Sequence, residues 1–495
     1  MMNLSTKKKL FWYWSVFAFL LVALVFIRYY GLVKYHYIAP AGDDPVAHYN
    51  MAKPFYDNTK SFLETWKNGL YPPLYHYAIA HIALVFKTDL LATMNLTYPS
   101  IIVFASLSVF VCAYFLFGSF EALVAFFLYG FTAKSSIQLL FDGGYPNLIA
   151  AHILLPIFVL FYVKIFLSSK LKQQLLFLSL SSVTAVLIVL IHHITTFYLL
   201  GIVGLSLPFI LIWKWITAKW SVKKGILFTL IFVLIYSLVI YAFFNTSLFA
   251  PARSLYMYST SNFDPNGMWL IDYYPDGIGK SVYYFGIMGL FLLAIKFIIR
   301  FKDRINITFL VLFIWSLLLF VVSRFQIANP ERPARDLVVP LAICSGVAIA
   351  ILIRHFKNNY LTSVLIIILL LFSVAGIKER VSKAIHYEPM MRMTPADEQA
   401  IDYIKSQPVG SILSNEVNGY LPIFLNNVTF NSKETINPAI ANSYKYLLLV
   451  DKQSGWVPAG NYVGIYKNIN DLPFKKIKTF SSDTRTVSLY QNTLP

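Results

Sequence analysis

The sequence predicts a polytopic α-helical membrane protein of about eleven spans, or thirteen, with a small α/β domain outside the membrane. Three observations carry this. Of 495 residues, 58% are hydrophobic and only 13% are charged, against about 25% charged in soluble domains. Runs such as LFWYWSVFAFLLVALVFI and LTSVLIIILLLFSVAGI approach or reach the roughly 20 apolar residues that a bilayer-crossing helix needs. After residue 378 the long apolar runs stop and polar, alternating sequence begins.

The N-terminus, MMNLSTKKKL, has the basic start of a signal peptide. The apolar run behind it is too long for one, and no small-residue cleavage site follows, so it reads as a retained first helix. Twelve apolar segments lie near 10–33, 73–87, 98–117, 119–135, 147–168, 174–191, 194–213, 225–245, 281–300, 306–323, 336–353 and 360–377. Basic residues orient them, because Lys and Arg collect in cytoplasmic loops. Lys7–Lys9, Lys164/Lys170/Lys172, Lys214/Lys219/Lys223/Lys224, Lys296/Arg300/Lys302/Arg304 and Arg354/Lys357 mark the inside. That alternation puts the C-terminus outside, so one of the twelve segments does not cross. PLYHYAIAHIALVFK, 73–87, is the candidate: it is short, follows Pro72–Pro73 and carries His76 and His81, which suits an interfacial helix. Discounting it leaves eleven spans; a further hidden helix would make thirteen. Loops 34–97, 136–146, 192–193, 246–280 and 324–335 then face outside. Residues 1–380 form the membrane domain and 388–495 the outside domain. In the latter, MTPADEQAIDYIKSQ predicts a helix capped by Thr394 with Pro395 at its first position. YKYLLLVD, NYVGIYKN and RTVSLYQN predict strands.

The net charge of +18 is not a nucleic-acid footprint, because the basic residues follow the loop alternation. Cys112 and Cys344 lie within apolar segments and imply no disulfide framework.

The chemically informative residues fall on the outside loops. The first carries Asp43, Asp44 and His48 in AGDDPVAHYN; the next has Asp142 and Tyr145 in FDGGYPN; His192 and His193 open HHITTFY; SRFQIANPERPARD supplies Arg324, Arg332, Arg335 and Asp336. Each has an ordinary reading too. The acidic pair suits a solvated loop, the histidines a helix junction, the arginines headgroup anchors, and DGGYPN a turn. Against these, ionised residues close to a bilayer are costly and usually functional. Arginine forks match phosphate oxygens, and a carboxylate near a hydroxyl or amide acts as a general base. Transfer of a sugar from a lipid-linked phosphate uses both. Asp43 and Asp44 could instead hold Mg²⁺ or Mn²⁺, and the sequence leaves that open. Pro45 biases Asp44 toward an extended backbone, so the two carboxylates should point apart.

The order of a first helix, an outside loop with GDD, YPPLYHYAIAHIALVFK and TYPSIIVFASLSVFVCAYFLFGSFEALVAFFLYG resembles the GT-C superfamily of polyprenyl-phosphate-sugar-dependent membrane glycosyltransferases. The matching positions are Asp43–Asp44, Tyr71–Tyr75 and the inside loop Phe117–Gly118. The resemblance implies a polyprenyl-phosphate sugar donor, a glycan, lipid or protein acceptor, and action on the outer face of the cytoplasmic membrane. Asp43 or Asp44 is the implied base, with inversion at the anomeric carbon. By their fork chemistry Arg332 and Arg335 are predicted to hold the donor phosphate, with Arg324 as a secondary candidate. His48, Asp142, Tyr145, His192, His193 and Asp336 would line the pocket, Asp336 orienting an arginine. The motifs are specific over about 40–120. No WWDYG-type acceptor motif of oligosaccharyltransferases is present, which argues against transfer to protein asparagine. Two rivals remain: a transporter or flippase of lipid-linked sugars, which needs no base and for which no internal repeat is seen, and an inactive assembly subunit with the same fold.

Overall fold

The structure, a computed structural model, describes residues 4–42, 44–68, 71–218, 273–299, 305–324, 331–355, 393–414, 421–425, 430–432, 443–452, 472–482 and 485–494, with scattered positions between 230 and 241 and between 360 and 381. Eight helices among them are long and apolar enough to cross a membrane: Phe11–Tyr35, Leu90–Leu116, Tyr145–Leu167, Leu171–Ile191, His193–Lys214, Lys280–Ile299, Asn306–Arg324 and Arg332–Arg354. Ser119–Thr132 and Ser135–Phe141, bent by 47°, make a ninth if counted as one span. The chain is a multi-pass membrane protein. Eight of the eleven expected spans are thus in view, or nine if the bent pair is one span. Segments 225–245 and 360–377 and most of the loop 246–280 fall outside the described residues.

Leu74–Phe86 has 13 residues, about 20 Å of helix, against a hydrocarbon core of about 30 Å. It stops at Lys87, whose left-handed backbone (φ 53°) breaks the helix. One boundary differs from expectation. The helix placed at 98–117 starts at Leu90, so the first loop ends at residue 89 instead of 97. Its polar opening hides the start. Asp89 caps it by accepting from the Leu91 and Ala92 amides at 2.8 and 3.1 Å. Thr93 and Thr97 bond back to carbonyls four residues earlier, so their hydroxyls need no water.

The bundle packs through small residues where helices cross. A Cβ on Gly286 would stand 2.7 Å from Leu341, and one on Gly289 only 2.0 Å from the Cys344 carbonyl. Helices Lys280–Ile299 and Val338–His355 therefore approach backbone to backbone. A second hydrophobic core joins the first-loop helices, through residues such as Val46 and Ile79, to Ala396, Ile401 and Val487.

Those last residues belong to the C-terminal α/β unit. Its strands are β1 (Ile412–Ser414), β2 (Phe430–Ser432), β3 (Tyr446–Lys452), β4 (Phe474–Ser481) and β5 (Arg485–Asn492), in the order β2-β1-β3-β5-β4. β1 runs parallel to β2 and β3, while β5 is antiparallel to β3 and β4. Helix Pro395–Lys405 begins after Thr394, as its sequence predicts. Asp397 accepts from the Thr394 amide at 2.7 Å and from Nε of buried Arg485 at 3.0 Å, tying the helix to β5. β3 and β5 match the predicted YKYLLLVD and RTVSLYQN. The predicted strand NYVGIYKN lies outside the described residues. β4 was hidden by Lys475, Lys476 and Lys478, which suit an exposed edge strand.

Candidate active site

The loops predicted to share a face meet at one end of the bundle. Asp44 opens helix Asp44–Tyr56; its amide donates to the Asp142 carbonyl at 3.4 Å, and its Oδ2 accepts from Nη2 of Arg332 at 3.2 Å. Arg335 donates through Nη1 to the Asp142 carboxylate. Arg332 and Arg335 sit three residues apart on the short helix Glu331–Asp336, and that spacing puts both on one side. Two Asp–Arg pairs result, built from three distant loops. Nη1 of Arg332 is buried and has no hydrogen-bond partner. At the opposite end of the bundle Arg354 pairs with Glu121 at 2.7 Å.

Glycines make these approaches possible. Gly42 has φ +103°, and a Cβ there would lie 2.0 Å from the Phe141 carbonyl. Gly143 has φ +83° and would press on Pro45 at 2.4 Å; a Cβ on Gly144 would reach Nη1 of Arg332 at 2.4 Å. GDDP and DGGYP are therefore interlocked, and DGGYP is both a turn and a site element.

Histidines and tyrosines form the wall beside the pairs. Nδ1 of His48 and Nε2 of His76 share a hydrogen bond of 2.9 Å. Burial lowers His48 from the usual value near 6.5 to about 4, with the Arg332 charge adding to the effect. Burial likewise holds His76 well below 6.5. The pair is neutral at pH 7, one ring donating and the other accepting. The Tyr71 ring lies among His48, His76, His192 and His193, with centroid separations of 5.4–6.2 Å.

All but one of the predicted site residues have a definite place. Asp43 lies outside the described residues. Asp44, Asp142, Arg332 and Arg335 come together, with His48 beside Arg332 and His193 against the Tyr71 ring. Tyr145 is fully buried and donates to the Ala41 carbonyl at 3.4 Å, so it packs beneath the loop. His192 joins two helices: its Nδ1 accepts from the Thr195 amide at 3.3 Å and bonds the Thr195 hydroxyl at 2.8 Å, which makes it a cap. Arg324 ends helix Ile305–Arg324 next to Tyr274 and is in neither Asp–Arg pair. Asp336 corrects an expectation. Its Oδ1 accepts from Asn147 at 2.9 Å and from Nε2 of His152 at 2.7 Å, so it anchors its helix to a neighbour instead of orienting an arginine. Asp44 already faces a guanidinium, and among the described residues no three His, Cys, Asp or Glu side chains are grouped to hold a metal ion.

An apolar groove of about 250 Å³ adjoins the Glu331–Asp336 turn. Tyr283, Ile287, Phe313, Phe320, Leu337 and Leu341 line it, from three membrane helices.

No family model matches the sequence, and no curated protein matches it. Solved structures do. The oligosaccharyltransferase AglB from Archaeoglobus fulgidus, in complex with an inhibitory peptide and a dolichol-phosphate, superposes with a TM-score of 0.55 at 14% identity, over 89% of this chain and 69% of that one. ArnT from Cupriavidus metallidurans in the apo state gives 0.56 at 12% identity, over 96% of this chain and 97% of that one. The arabinofuranosyltransferase AftD from Mycobacteria gives 0.52 at 12% identity, over 98% of this chain and 40% of that one. The chain has the GT-C fold.

Within this GT-C fold, several residues of the site escaped sequence reading. His76 lay in a segment read as interfacial, and Tyr71 was named only as part of the Tyr71–Tyr75 match, without a role in the site. Asn147, His152 and Tyr129 form a buried chain with Asp336, the Tyr129 hydroxyl lying 2.6 Å from Nδ1 of His152. Their signal was polarity inside apolar segments, and a polar group buried there needs a partner. Arg28 is a further case: buried in the first helix, it donates to the Gly130 carbonyl at 2.9 Å, within the π-helical turn Leu128–Thr132.

Proposed function

We propose that the chain is a glycosyltransferase that moves a sugar from a polyprenyl-phosphate carrier to an acceptor at the extracytoplasmic face of the membrane. The observation that carries this reading is the meeting of Asp44 with Arg332, next to the pair of Asp142 with Arg335. Two phosphate-matching forks stand within one turn of helix, and a candidate base from the first loop is paired with one of them. The GT-C fold supports it, as do structures of that fold bound to dolichol-phosphate and to undecaprenyl phosphate.

The donor phosphate takes Arg332, whose buried Nη1 has no other partner. The isoprenoid tail lies in the apolar groove beside Leu337. Exchange of Arg332 from carboxylate to phosphate leaves Asp44 uncovered next to the reacting carbon. Asp44 accepts the proton of an acceptor hydroxyl or amide, and the acceptor's lone pair bonds the anomeric carbon. The anomeric C–O bond breaks, and its electron pair leaves on the phosphate, which the arginines stabilise. Attack from the face opposite the phosphate inverts the configuration. The extracytoplasmic side follows from the basic loops, which the alternation of charge assigns to the cytoplasm.

The test is purified protein in liposomes with labelled undecaprenyl-phosphate sugars and a mixture of envelope glycans and lipids as acceptors. Release of undecaprenyl phosphate with sugar on an acceptor supports transfer. Passage of the intact donor between leaflets without release would replace the reading with a transporter.

A further inference from the structure

We infer that Tyr71 and His193 form a sugar-reading subsite next to the arginines, with the Tyr71 ring as the stacking platform and the His193 imidazole as the hydroxyl reader. This deepens the proposed function and rests on it only for the identity of the ligand as a lipid-linked sugar.

Of the four histidines around Tyr71, three are occupied. His48 and His76 bond each other, and His192 spends Nδ1 on Thr195. His193 differs. It is only 7% exposed, and both of its ring nitrogens are buried without a hydrogen-bond partner. A buried imidazole left so is costly, and native proteins rarely leave such groups unsatisfied. One nitrogen donates and the other accepts in a neutral ring, which matches the dual character of a sugar hydroxyl. The His193 ring meets Tyr71 edge to face at 5.4 Å and 87°. Arg332 and Asp44 both lie close enough to act on the Tyr71 phenol, and Arg332 acts on His192. A sugar hanging from a phosphate on Arg332 therefore passes along Tyr71 toward His193. An aromatic face with a few placed polar groups is the usual make-up of a small-ligand site.

The experiment measures affinity in nanodiscs for bare undecaprenyl phosphate and for the same lipid carrying arabinose, mannose or galactose. The wild type binds at least one sugar-bearing lipid about tenfold more tightly than the bare lipid. His193→Phe, which keeps a ring and removes both nitrogens, loses that gain and leaves the affinity for bare undecaprenyl phosphate unchanged; His193→Gln restores part of it. The inference is overturned if the wild type shows no gain for any sugar, if His193→Phe keeps the gain, or if it weakens the bare lipid equally. The transferase reading is judged separately, by release of lipid phosphate. A sugar-dependent gain without any release would leave the subsite standing and remove the enzyme.

Discussion

Arg332 and Asp44 are 288 positions apart in sequence and 3.2 Å apart in space. Their side chains are 21% and 47% exposed, whereas those of Arg335 and Asp142 are 8% and 21% exposed. Exposed pairs contribute about 0–1 kcal/mol, while breaking a buried pair costs several times that. The two pairs therefore divide the work. In the proposed mechanism Arg332 exchanges partners when a phosphate arrives, and Arg335 stays as a fixed positive charge held by Asp142.

Asp44→Asn removes the proposed base and keeps the shape of the side chain. Transfer should fall by about 10²–10⁴-fold, the usual contribution of a positioned general base. Stability should change by less than about 1 kcal/mol, because the lost pair is half exposed. Single-turnover release of lipid phosphate and a melting curve on the same preparation check both numbers. Full transfer in the variant would remove Asp44 from the mechanism.

Gly144→Ala separates position from chemistry. Gly144 has a negative φ (−70°, ψ 45°) close to the inverse γ-turn conformation that L residues can adopt, so alanine escapes left-handed strain there. Its Cβ would stand 2.4 Å from Nη1 of Arg332, the far end of a flexible side chain that can move aside, and 3.2 Å from the Leu139 carbonyl, which must give by a few tenths of an ångström. The protein should melt within about 1 kcal/mol of wild type, yet undecaprenyl phosphate should bind about tenfold more weakly. Gly42→Ala makes the contrast. There φ is +103° and the clash is with a backbone carbonyl, so the first loop itself should be destabilised.

How far the sequence could be read follows from the range of each signal. Membrane helices announce themselves through continuous apolarity, and loop charges give the parity that set Leu74–Phe86 apart as too short to cross. The Asp–Arg cluster was legible as a list, since Asp44, Asp142, Arg332 and Arg335 all fell on loops of one face. Its pairing was not, because nothing local says that Asp142 takes Arg335 while Asp336, one residue beyond, turns to His152 and Asn147. The start at Leu90 was missed because threonines and Asn95 dilute the apolar signal, although their groups bond within the protein. β4 was missed because three lysines mask an edge strand.

The His48–His76 pair makes stability depend on pH in one direction. In the unfolded chain both titrate near 6.5; in the folded protein burial lowers His48 to about 4 and His76 well below 6.5. Between these values the unfolded chain binds protons that the folded pair refuses, so stability falls as pH drops from about 6.5 toward 4 and is flat above about 7. The depression of His48 corresponds to about 3 kcal/mol at the acid end. Melting temperature between pH 7.5 and 4.5 should slope downward in the wild type and less steeply in His48→Asn. Equal slopes would show that other groups carry the acid sensitivity.

Asp336→Leu tests whether the arginines depend on a buried anchor. Asp336 is 2% exposed and serves both Asn147 and His152, so leucine strands two donors inside the bundle. Each unsatisfied buried group costs about 1–3 kcal/mol, so two predict a loss of about 2–6 kcal/mol. Because the same short helix carries Arg332 and Arg335, affinity for undecaprenyl phosphate should fall as well. Arg332→Gln should lower that affinity with little change in melting, since the side chain is partly exposed. The two variants thus separate an anchor from a ligand. If Asp336→Leu melts earlier yet binds undecaprenyl phosphate as tightly as wild type, the turn keeps its place without the anchor, and the network of Asp336, His152 and Asn147 serves the bundle alone.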